Sequence, residues 1–153
     1  MRLFVLTLLV LAAAAQAGRN LVVNGSFEFT ADGLPLGWSW SAGKAKGSMQ
    51  LRTAGGVDGA NYVRITNPTP TQAHHFSHLS TAVTVKPDTD YTLTAYLRGA
   101  VPGGGFLGGG PGWKTRFGLP GGKQGWTRFG GTFHTAKDQT RFQLMVLTES
   151  PTA

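Results

Sequence analysis

Hydrophobic and polar positions alternate with a period of two along most of this chain, and that alternation predicts strands. In Tyr62–Thr66, Val63 and Ile65 fall on one side, and Tyr62 and Arg64 on the other. In Tyr91–Arg98, Tyr91, Leu93, Ala95 and Leu97 form a core-like side. Thr92, Thr94, Tyr96 and Arg98 form a polar side. Trp126–Phe133 sets Trp126 and Arg128 against Phe129 and Phe133, and Arg141–Thr148 supplies the last strand. Shorter strands are expected at Leu21–Val23, Met49–Thr53, Thr81–Val85 and Thr115–Leu119. Trp38-Ser39-Trp40, if extended, carries both rings on the same side. Asn24-Gly25, Asn67–Thr71 and Lys86–Asp90 carry turn chemistry. Residues 99–112 are so rich in glycine that they predict a mobile loop, with Phe106, Leu107 and then Trp113 at its end. No stretch after the N-terminal segment sustains a helical period. The expected fold is all-β: an antiparallel two-sheet β-sandwich.

The N-terminal segment differs from all of this. Met1-Arg2 is basic, Leu3–Leu11 is almost wholly apolar, and Ala15-Gln16-Ala17 has the small-x-small form of a cleavage site. This predicts a signal peptide over 1–17 and a secreted domain over 18–153. The apolar run is shorter than the roughly 20 residues a membrane span needs. No membrane partner is expected after cleavage.

Composition narrows the chemistry. The 153 residues include no cysteine, so disulfides, thiolate metal sites and cysteine nucleophiles are excluded. Charged residues make up only 14%, with a formal net charge of +7. The lysines and arginines are scattered singly, whereas a nucleic-acid footprint wants them clustered on one face; no nucleic-acid partner is expected.

The stretch Asn20-Leu21-Val22-Val23-Asn24-Gly25-Ser26-Phe27-Glu28, followed by Gly33-Leu34-Pro35 and Gly37-Trp38, resembles the opening of the CenC-type carbohydrate-binding modules of families 4, 9 and 22. Tyr62-Val63-Arg64-Ile65, the paired segments from Val83 to Arg98, and Trp126–Phe133 are similar to later strands of that family. The resemblance implies a β-jelly-roll that binds polysaccharide without cleaving it. It also implies a closing strand of Trp-x-Asp-Asp-Val type, which does not occur before Ala153. Such modules often hold a structural calcium; the matching acid here is Glu28, with Asp58 as a second. They also ride on larger hydrolases, so a downstream catalytic domain is an implied partner.

The candidate sugar contacts are the rings of Trp40, Tyr62, Tyr96 and Trp113 and the polar groups of Arg64, His78 and Arg98. A flat ring stacks on the C–H face of a pyranose, and a planar guanidinium bridges hydroxyls. His74, His75 and His78 do not make a zinc site on a strand. His74 and His78 would lie about 13 Å apart by strand rise, against metal–nitrogen bonds near 2 Å. The seven acids show no facing carboxylate pair, and there is no nucleophile elbow or His-Glu-x-x-His helix. The sequence therefore reads as a secreted, non-catalytic polysaccharide-binding module that needs no cofactor. Two alternatives stand beside it: a structural or adhesion sandwich without a sugar site, and the N-terminal fragment of a larger glycoside hydrolase.

Overall fold

The computed structural model describes residues 4–13, 19–68, 74–101 and 104–149. Its strands, in chain order, are β1 (Phe4–Ala13), β2 (Thr30–Ala31), β3 (Leu34–Pro35), β4 (Ser39–Ser41), β5 (Ser48–Arg52) and β6 (Tyr62–Thr66), then β7 (Phe76–Thr84), β8 (Asp90–Val101), β9 (Gly105–Gly109), β10 (Thr115–Gly118), β11 (Gly122–His134) and β12 (Arg141–Glu149). One five-stranded sheet has the order β11-β8-β1-β6-β5, and a second has the order β10-β9-β12-β7-β4. All pairings in them are antiparallel. The two sheets share one apolar core, so the expected all-β sandwich is what the chain forms.

The period-two pattern does the sorting. Val63, Ile65, Leu93, Ala95 and Leu97 from the first sheet bury against Leu79, Val83, Phe142, Leu144 and Val146 from the second. Tyr91 closes one end: its ring stacks on Phe133 at 5.7 Å, and Phe133 lies 4.5 Å from Phe142. The Tyr91 hydroxyl accepts the Lys86 amide proton at 2.7 Å, which gives this buried ring's polar tip a partner.

Polar bolts tie the sheets beyond the core. Asn67, at the end of β6, donates from Nδ2 to the Thr148 carbonyl at 3.1 Å and accepts from Ser77 Oγ at 2.6 Å. All three residues are buried. At the Tyr91 end, the buried Thr135 hydroxyl donates to the Lys86 carbonyl and accepts from the Thr89 amide.

Two local expectations need correcting, and a third holds. Leu21–Val23 is not a strand: Val22 is buried, but Val23 is 75% exposed, and the segment runs into turns. The residue of the Asn24-Gly25 step that takes positive φ is Asn24, at 54°. Its side chain organises the opening loop, donating to the Phe29 and Leu36 carbonyls and accepting the Phe29 amide proton. Trp38 joins this hub through an indole donation to the Asn24 carbonyl at 3.1 Å, and its ring meets Phe27 edge to face at 5.3 Å.

The second correction is the glycine-rich run. Gly105–Gly109 is a strand, seated between β10 and β12. Leu107 is fully buried. Glycine is required here by close approach. A Cβ on Gly109 would enter the Gln143 carbonyl oxygen, and one on Gly108 the Thr115 carbonyl oxygen. Backbone density, rather than mobility, explains the composition.

The apolar N-terminal segment is in the first sheet. β1 lies between β6 and β8: Phe4 is opposite both Ile65 and Gly99, Val5 opposite both Arg64 and Arg98, and the pairing with β8 continues to Ala13 opposite Tyr91.

Candidate binding face

The outer side of the first sheet collects most of the candidate side chains. Tyr62 and Arg64 alternate with the buried Val63 and Ile65 along β6, so they point away from the core. Tyr96 and Arg98 do the same on β8 against Ala95 and Leu97. Register adds neighbours: Tyr96 is opposite Arg128 on β11, Tyr62 is opposite Arg52 on β5, and Arg64 is opposite Gln50. Trp126 enters at an irregularity of the β11–β8 ladder between Gln124 and Thr127.

The centre of this face is an aromatic–guanidinium cluster. The Arg98 Cζ lies 4.8 Å from the Trp126 ring centroid and 5.4 Å from that of Tyr62. Tyr62 and Trp126 meet edge to face at 5.8 Å. The Trp126 indole donates to the Gly55 carbonyl at 3.2 Å, which draws the loop after β5 onto the face. Each arrangement is favourable: a cation over a ring face, and an edge directed at a quadrupole.

Electrostatically the face is one-sided. Arg52, Arg64, Arg98 and Arg128 all belong to it. The ion pairs of the described residues instead join His74 to Glu149 and His134 to Asp88 and Asp90. Arg52 is held by Gln50, whose Oε1 accepts from Nη2 at 2.8 Å. Arg64 Nε is buried and has no hydrogen-bond partner. An unpaired buried donor of this kind costs about 1–3 kcal/mol unless something accepts from it.

The other candidates lie elsewhere. Trp40 is opposite the buried Leu79 and packs against the core. His78 sits on the outer side of the second sheet, opposite Ser41 and Leu147, and burial pushes its imidazole below the ordinary value. Trp113 ends a 3-10 turn with φ of 56° and is 38% exposed. It meets Phe106 edge to face at 5.9 Å, while Arg116 lies over the Phe106 ring and donates from Nε to the Trp113 carbonyl. The seven candidates therefore do not form one site: four share the first sheet's face, two lie about the second, and Trp40 is packing.

The two acids proposed for calcium are differently placed. Glu28 Oε1 accepts the Asn61 amide proton at 2.8 Å, pinning the opening loop to the loop before β6. Asp58 lies exposed in that second loop. Among the described residues no group of three or more His, Cys, Asp or Glu side chains could hold a metal. Calcium takes six to eight oxygens, and the function argued below does not call on it.

Sequence reasoning passed over Trp126, Arg128 and the Phe106–Arg116 pair. The signal for the first two was the alternation that put Phe129 and Phe133 in the core, since it puts Trp126 and Arg128 outside. Phe106 was hidden by the loop expectation. Comparison with known proteins found no matching family model, no matching curated protein and no matching solved structure.

Proposed function

We propose that this chain is a secreted, non-catalytic module that binds polysaccharide on the outer face of the first sheet. The observation that carries the reading is the Tyr62–Arg98–Trp126 cluster, flanked by Tyr96, Arg64 and Arg128 on an open sheet face. Rings offer apolar area to sugar C–H faces, and guanidinium groups offer paired planar donors to oxygens. Four arginines without a carboxylate partner among the described residues favour a chain carrying carboxylate or sulfate groups over a neutral one.

One observation favours a second reading, a sandwich domain without a sugar site. Tyr62, Arg98 and Trp126 satisfy one another, as a purely structural clasp would. Affinity electrophoresis through gels holding neutral glucans, xylans, pectates or sulfated glycans separates the two. Retardation by an acidic glycan that weakens with salt and is lost in Arg98→Ala and Tyr96→Ala supports binding. A folded protein retarded by none of the panel supports the structural reading.

A further inference from the structure

We propose that β6 and β8 form an acceptor slot for an inserted strand, and that its occupant is this chain's own apolar segment Phe4–Ala13, held by backbone pairing and replaceable in trans. The inference goes beyond sugar binding and does not depend on it.

The topology carries it. β6 and β8 do not pair with each other; β1 lies between them, pairing with β6 over Phe4–Leu6 and with β8 from Phe4 to Ala13. Between them in sequence the chain crosses to the second sheet as β7, which pairs there with β4 and β12. No hairpin links β6 to β8, and none links β1 to either neighbour. The next strand after β1, Thr30–Ala31, pairs only with Leu34–Pro35, outside both large sheets. The occupant is thus joined to its seat by ladder pairing, with no tight turn to either flanking strand. Strand addition of this kind draws affinity from main-chain bonds and specificity from alternate side-chain positions.

The occupant's chemistry fits a central position. Phe-Val-Leu-Thr-Leu-Leu-Val-Leu-Ala-Ala carries no charge, no proline and no glycine. Such a near-continuous apolar run suits a strand with neighbours on both sides. Leu6 is opposite both Val63 and Leu97, and Leu8 and Leu11 are opposite Ala95 and Leu93, all four partners being buried.

The occupant also sets the geometry of the candidate face. Val5 is opposite Arg64 on one side and Arg98 on the other. With strands about 4.8 Å apart, a seated β1 holds β6 and β8 about 9.6 Å apart. Without it the first sheet becomes two two-stranded ribbons, β11-β8 and β6-β5, and an isolated two-stranded ribbon is marginal at best. The same segment carries the pattern of an export signal. Cutting after Ala17 would turn an intramolecular strand into a dissociable one and leave a slot with the same appetite for an extended apolar strand.

The test starts from the folded full chain with a protease site engineered between Ala13 and Arg19. After cleavage the N-terminal fragment is expected to co-elute with the body in size exclusion. A labelled synthetic peptide of residues 3–14 should exchange into its place. A peptide with Leu8→Pro and Val10→Pro should bind at least tenfold more weakly, because proline removes ladder donors. Unfolding of the body on loss of the fragment, reversed by added peptide, also supports the slot. Departure of the fragment from a body that keeps its β-sheet circular dichroism and thermal midpoint overturns it. So does unfolding that peptide cannot reverse, or equal binding of the proline peptide. Hydrogen exchange on the uncut chain gives an independent reading: amides of residues 4–13 should be protected, and exchange at unstructured rates beside a protected β8 would sink the idea.

Discussion

Tyr62 and Trp126 start from strands that have two others between them and meet with ring centroids 5.8 Å apart on the outer side of the first sheet. Arg98, on one of the intervening strands, places its guanidinium against both rings. The clasp crosses the line of β1, so it couples the two halves of the face. Arg98→Ala is expected to cost stability by about 0.5–2 kcal/mol, the range of a ring–cation contact, seen as a lower denaturant midpoint with unchanged slope. It should weaken glycan retardation more than Arg52→Ala, which removes a side chain at the margin of the face.

Asn67 should matter more for stability. It joins the end of β6 to β7 and β12 through buried hydrogen bonds to Ser77 and Thr148. Asn67→Ala leaves the Ser77 hydroxyl short of its acceptor and the Thr148 carbonyl short of its donor. The expected loss is about 1–3 kcal/mol, measured by urea unfolding. A neutral result would show that water replaces the side chain.

The glycine strand gives a paired comparison. Gly109→Ala places a methyl against the Gln143 carbonyl at a residue with φ of 131°, whereas Gly118→Ala meets nothing within 4 Å. The first is expected to destabilise by about 1–3 kcal/mol. The second should be close to neutral in the same thermal melt. Equal effects would mean that the close approach of β9 to β12 is not maintained.

His134 supplies a pH signature. Its Nδ1 lies 2.7 Å from an Asp90 carboxylate oxygen and its Nε2 3.0 Å from one of Asp88. Hydrogen bonds to Asp90, then to Asp88, raise its imidazole above the ordinary value. A raised folded value means a contribution fully present below the unfolded value of about 6.5 and lost as pH rises through the folded one. Proton NMR titration should therefore place the His134 midpoint above 6.5. The double variant Asp88→Asn, Asp90→Asn should bring it back.

Much of the fold was legible because alternation is a direct consequence of the pleat. Val63, Ile65, Leu93 and Leu97 could be assigned inward from spacing alone, and they lie in the core. The failures have physical causes. Leu21–Val23 are good β-formers, but the Asn24 side chain captures the following backbone and bends the segment into turns instead. The glycines of β9 read as flexible because composition cannot report the facing carbonyl of Gln143. Of the candidate face, Tyr62, Arg64, Tyr96 and Arg98 were legible from one strand each. That they share a face with one another depended on strand order, which periodicity does not contain. Trp113 and His78 were chemically reasonable choices displaced for the same reason.

The position of Phe4–Ala13 has a consequence in time. During synthesis this segment exists long before its seat does, because β6 begins at Tyr62 and β8 at Asp90. At roughly 5–20 residues per second, several seconds of elongation separate the strand from its second flank. A strand made before both of its flanks is thus placed after them. Through that interval Phe4–Ala13 has neither of the strands it pairs with in the finished sheet.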